Sequence, residues 1–163
     1  IAATADKVFM PINDPDTAGG NAVPGMYAFT VDSGERIWSY RITPDCDKGR
    51  SDLIRNCERM YGMSAAPLVV DGAVISASLD GRVFIFDGDN GDILFQYDTA
   101  ADFITTNQLP GSGGAIDAHS IAAGSGMVMI GSGYGFSDQT PGNVLLAFRP
   151  KRQQPGKAAE AEQ

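Results

Sequence analysis

The chain has 163 residues, of which 43% are apolar, 20% charged and 9% aromatic, a composition that fits a folded globular domain and excludes disordered and collagen-like chains. Its net charge of −8 repels phosphate backbones and anionic lipid, so nucleic acid is not expected as a partner. Apolar runs such as Ala65-Ala66-Pro67-Leu68-Val69-Val70 fall far short of the ~20 residues of a membrane helix, and no membrane span is expected.

Twenty glycines and nine prolines, spread along the chain, predict many turns between short strands, because Gly supplies positive φ and Pro presets φ. Ile1 to Ile12 reads as a hairpin turning at Ala5-Asp6-Lys7. Its start shows neither Met nor the basic-then-apolar pattern of a signal peptide, so the sequence is expected to begin inside a longer chain, with a signal peptide further upstream. Tyr27 to Tyr40 reads as strand, Asp32-Ser33-Gly34 turn and second strand. Beyond the polar connection Thr43–Ser64, Ala66–Val70 turns at Asp71-Gly72 into Ala73–Ser78. Phe84 to Tyr97 then repeats Tyr27 to Tyr40 without a gap, with Asp89-Asn90-Gly91 at the turn. Past Ala100–His119, Ser120–Ser132 turns at Ser125-Gly126, and Val144–Phe148 is a third, partial copy of the repeat.

Each full unit is thus four antiparallel strands, A to D, with apolar runs such as Val83-Phe84-Ile85-Phe86 that suit strands covered on both faces. Four-stranded units in series predict an all-β chain of β-propeller blades. The blades fall at about 1–42, 65–99 and 120–148, making residues 1–148 a partial propeller. The third blade lacks strand D, which is expected from the N-terminal part of the full protein. The polar residues 149–163 are expected to form a flexible tail. The A–B and C–D turns are short, whereas the long connections Asn13–Gly25, Thr43–Ser64, Ala100–His119 and Gly133–Gly142 all fall on the opposite face. Long loops kept to one end of a rigid scaffold point to a binding or catalytic face.

Asp98-Thr99-Ala100-Ala101-Asp102-Phe103-Ile104-Thr105-Thr106-Asn107, Gly113-Gly114-Ala115-Ile116-Asp117, Gly131-Ser132-Gly133-Tyr134-Gly135 and Gly142 to Phe148 resemble the C-terminal blades of polyvinyl alcohol dehydrogenases. The resemblance implies an eight-bladed propeller that holds pyrroloquinoline quinone (PQQ) and calcium. It further implies oxidation of alcohols or polymeric alcohols in the periplasm, with electrons passed to cytochrome c. The alternative is a propeller without a cofactor, a protein-binding scaffold like the outer-membrane assembly lipoproteins that share the repeat.

PQQ carries three carboxylates, so its site needs cations or amide donors, a hard metal and a base. Arg55 and Arg59, with Lys48 and Arg50 in the same loop, are candidates to grip those carboxylates, or else pair with the loop's own Asp45, Asp47, Asp52 and Glu58. Asp117 is a candidate calcium ligand or general base, and equally a loop cap. His119, the one histidine, is a candidate acid–base group or a hydrogen-bonding residue at the blade edge. Thr105 and Asn107 offer oxygens to cofactor or calcium, or ordinary loop bonds. Cys46 and Cys57 form a disulfide if the oxidising context implied by the resemblance holds, and stay free thiols in a cytoplasmic protein. Trp38 and Phe95, at equivalent places in the repeat, are expected to pack between blades.

Overall fold

In a computed structural model, residues 1–14, 21 and 23–150 are described. Most of the Asn13–Gly25 connection and the tail from residue 151 onward lie outside them.

The turns follow from their residues. Asp71-Gly72 and Ser125-Gly126 both take left-handed φ at both positions (48° and 79°, 51° and 70°), the conformation of a two-residue hairpin whose twist matches its flanking strands. Asp87 accepts the backbone N–H groups of Asp89 and Asn90 at 2.8 and 3.2 Å, so its side chain nucleates the next turn. Three blade sheets and one two-stranded sheet result. The first runs β1 (Ala2–Ala3), β2 (Lys7–Ile12), β3 (Gly25–Thr30) and β4 (Arg36–Arg41). Beyond the short helix α1 (Arg50–Leu53), the second runs β5 (Leu68–Val70), β6 (Ala73–Ala77), β7 (Arg82–Asp87) and β8 (Ile93–Asp98). The hairpin β9 (Asp102–Ile104) and β10 (Pro110–Ser112) leads to a three-stranded sheet of β11 (Ile121–Gly124), β12 (Met127–Ser132) and β13 (Val144–Phe148). All pairings are antiparallel between neighbours in sequence. The all-β reading holds, and the sheets are blades of the kind the repeat predicts.

The sheets pack face to face, which explains the continuous apolar run of β7. Phe84 and Phe86 point to the first blade, where they join Phe9, Met26 and Trp38 in one buried cluster. Val83 points the other way, into a cluster with Ala77, Ile116 and Ile130. Trp38 is the pin of the first interface: its ring meets Phe9 and Phe86, and its Nε1 donates to the Gly88 carbonyl at 3.1 Å. A Cβ on Gly91, whose φ is 80°, would lie 2.7 Å from the indole, so this turn needs glycine for both its conformation and its neighbour. Phe95 plays the corresponding part at the second interface, its ring edge-on to Phe148 at 5.8 Å. Outermost strand β8 is exposed along its whole length.

Among the described residues no helix is long and apolar enough to cross a membrane. One connection on the long-loop end departs from the pattern: β6 and β7 are joined by the tight segment Ser78–Gly81, and its Asp80 is fully buried. The 100–119 connection also carries more order than a loop, because β9 and β10 fold it into a hairpin.

Candidate functional site: a face of three converging loops

The loop before the second blade is pinned at two places. Cys46 and Cys57 are joined by a disulfide with Cα atoms 5.7 Å apart, so the pairing that the resemblance implied is present. It packs with Ile54 and Ala100, and Glu58 beside it finds no thiolate with which to share a metal. The second pin is Arg50. Its guanidinium is buried against Asp80 at 3.3 Å, approaches Asp45 at 3.6 Å and pairs with Asp98. Arg82 also holds Asp80, at 2.7 Å, and donates to the Thr43 carbonyl at 2.7 Å. Ser78 donates to the same carboxylate. Asp80 thus sits between two guanidiniums and ties the start of the 43–64 loop and α1 to the tight β6–β7 turn. Of the four cations in this loop, Arg50 is consumed structurally, whereas Lys48, Arg55 and Arg59 are exposed and form no ion pair among the described residues.

Asp117 joins three connections. Its Oδ1 accepts from Ser64 Oγ at 2.6 Å and from the Ala118 N–H at 2.6 Å, and its Oδ2 accepts from Gln139 Nε2 at 2.7 Å. Next to Gln139, Thr140 Oγ1 accepts the Arg55 N–H at 2.7 Å, so the basic loop, the 113–119 segment and the 133–142 loop meet here. Burial pushes the Asp117 pKa up, but the hydrogen bonds from Ser64, Gln139 and Ala118 together outweigh it and hold the carboxyl below its usual value. The amide oxygen of Gln139 is buried and accepts no hydrogen bond. An ionised carboxylate and a neutral amide oxygen are the kinds of donor a hard cation takes, and here the amide faces the carboxylate through its nitrogen.

The other candidates stand apart from this junction in the bonding. Thr105 Oγ1 reaches its own turn, bonding Asn107 Oδ1 and the Leu109 carbonyl, so both residues stabilise the tip of the β9–β10 hairpin. His119 is exposed two residues beyond Asp117. Ser64, Asp80 and Gln139 were not singled out in the sequence. The Leu79-Asp80-Gly81-Arg82 run between two apolar strands does announce a hairpin, but nothing in it announces that the Asp is buried or that Arg50 reaches it. Gln139 carries no sequence signal of its own.

Blades of this topology, with their long connections gathered at one end, define a β-propeller segment. No protein-family model matches the chain. Among solved structures, it superposes on BamB from Moraxella catarrhalis with a TM-score of 0.50 over 80% of this chain and 32% of that one. At 18% identity, that likeness shows the fold. Two curated proteins are similar in sequence, both named polyvinylalcohol dehydrogenase. One, from Sphingopyxis sp. (strain 113P3), is 32% identical over 160 residues, covering 90% of this chain. The other, from Pseudomonas sp., is 30% identical over 157 residues, covering 91%. The chain is therefore similar over nine-tenths of its length to a region of polyvinylalcohol dehydrogenases, and it spans 24% of the length of each of those relatives.

Proposed function

We propose that residues 1–163 are part of a PQQ- and calcium-dependent alcohol dehydrogenase of the periplasm that oxidises alcohols or polymeric alcohols and passes electrons to cytochrome c. The observation that carries this reading is the 32% identity to a polyvinylalcohol dehydrogenase over 90% of the chain. The donor set supports it. Arg55 and Arg59 are exposed cations with no carboxylate partner among the described residues, as binding of a tricarboxylate requires. Asp117 and the unused Gln139 oxygen suit calcium. Asn107, bonded within its own turn, is not joined to them.

Bound there, PQQ would supply the two-electron oxidant for the alcohol. The chain's own part is to hold and orient. Arg55 and Arg59 bind carboxylates, and the Asp117 junction keeps the three loops in one arrangement while presenting a negative charge. A carboxyl held below its usual pKa is a better cation ligand than proton acceptor near neutral pH. That leaves proton acceptance on this loop to His119.

The test uses the full-length protein. Arg55→Gln with Arg59→Gln should weaken PQQ binding by tenfold or more, and Asp117→Asn should raise the calcium concentration needed for half-maximal loading. Unchanged affinities for both ligands overturn the assignment. A full-length protein that binds neither ligand instead supports the scaffold reading.

A further inference from the structure

We propose that a depression at the long-loop end of the third blade is an alcohol-binding subsite, which takes an uncharged hydroxyl on an aliphatic chain and is kept open by Gly131. The proposal rests on the reading that the full protein oxidises alcohols, and it names the substrate class and the residues that select it. The depression holds about 350 Å³, and its walls include Ser120, Gly131, Ser132, Tyr134, Asn143 and Val144. That volume lies at the lower end of the range for small-molecule pockets. β11 begins, β12 ends and β13 begins around it, at the end of the blade opposite the Ser125-Gly126 turn. Ser120 directly follows His119 in the chain, so the walls begin one residue from the group assigned to accept the proton.

The fold does not require glycine at position 131. Its φ is not left-handed, and a Cβ there would meet nothing nearer than the Ser120 carbonyl oxygen, at 4.0 Å. Two residues on, Gly133 has both reasons to be glycine: a φ of 116° and a Cβ that would lie 2.1 Å from Gly142. A glycine inside a strand weakens it and often marks a place where a ligand or another backbone comes close. Gly131 is thus a cradle that a side chain would fill.

The chemistry of the walls selects the occupant. No Asp, Glu, Lys, Arg or His lines the depression, so an ionised ligand would lose hydration there without gaining a counter-charge. The serine hydroxyls are committed elsewhere: Ser120 Oγ donates to the Asp117 carbonyl, and Ser132 Oγ bonds Thr99 and Gly114. Asn143 differs. Its Oδ1 accepts the Ser112 N–H at 2.9 Å, which orients the amide, and its NH2 group has no partner among the described residues. One amide donor, set beside the Tyr134 ring and Val144, matches a hydroxyl oxygen that carries a hydrocarbon chain.

Saturation-transfer NMR on the folded full-length protein without cofactor tests the subsite, with hexanol and hexanoate as probes. Transfer to the alkyl protons of hexanol is expected, with weaker transfer to hexanoate. Gly131→Val should abolish the hexanol signal, and the smaller plug of Gly131→Ala should reduce it. In the enzyme loaded with PQQ and calcium, Gly131→Val should raise KM for hexanol about tenfold or more, with a smaller change in kcat. Equal transfer to both probes, no transfer to hexanol, or hexanol binding and KM that survive Gly131→Val overturns the subsite. Unfolding of the full-length protein by both substitutions also overturns it, because another blade would then fill the depression. Hexanol binding without turnover supports the subsite and removes the oxidation reading, so the two fail separately.

Discussion

Asp80 is the most committed residue in the chain: fully buried, charged, and held by two guanidiniums and a serine. Such a group contributes little net stability while its partners are present, but removing one partner strands the others in a low-dielectric site. Asp80→Asn keeps the shape but leaves the buried Arg82 without a carboxylate partner, while Arg50 keeps Asp98 and Asp45, so a loss of ~3–5 kcal/mol is expected in denaturant unfolding. A loss below ~1 kcal/mol, the size of an exposed pair, would show that the cluster is solvated. Asp117 makes a different prediction, through pH. Its carboxyl is depressed in the folded state, so it favours folding at all pH values above its unfolded pKa of ~3.9, and that contribution disappears as pH falls through the folded value. Asp117→Asn should therefore flatten the acid limb of the stability curve. An acid limb of the same steepness in the variant would mean that the three hydrogen bonds do not distinguish carboxylate from amide.

At the scale of elements, the loop of residues 43–64 and the turn of residues 87–92 are the parts that the rest depends on. The disulfide closes a sequence separation of 11, and Cys46→Ala with Cys57→Ala should cost ~2–3 kcal/mol on the chain-entropy account, read as a lowered midpoint of unfolding. Because the Asp80 cluster holds the same loop independently, the folded arrangement should survive, which tryptic cleavage at Arg55 and Arg59 would report. Rapid cleavage there in the double variant would show that the disulfide alone orders the loop. Gly91→Ala should destabilise by ~2 kcal/mol or more, since it combines a left-handed φ with a clash against the Trp38 indole. A neutral Gly91→Ala would remove Trp38 as the pin between blades.

These elements also show what the sequence discloses and what it hides. Strands and turns were legible because their signals are local: alternation, Asp-Gly pairs, and a repeat that puts Trp38 and Phe95 in the same slot. The Cys46–Cys57 pair was legible only with its chemical context. The Asp117 junction was legible by half. Asp117 itself was singled out from its segment, but Ser64 and Gln139 are 53 and 22 residues away from it in sequence, and a hydrogen bond across that span leaves no local pattern. Thr105 and Asn107 show the opposite case, since residue types that suit a ligand also suit a turn, and in the structure they bond within their own turn.

For the whole molecule, the decisive property is that one end of a stack of blades carries the exposed Lys48, Arg55 and Arg59, unpaired among the described residues, together with the ionised Asp117, while the opposite end carries tight turns. The proposed oxidation of alcohols by a quinone would require that end to bind a polyanion and a hard cation together. The most direct measurement is alcohol-dependent dye reduction by the full-length protein, purified without cofactor and then loaded with PQQ and calcium. Saturable turnover that requires both PQQ and calcium is the predicted result. A folded full-length protein that takes up no PQQ and shows no turnover with any alcohol contradicts it.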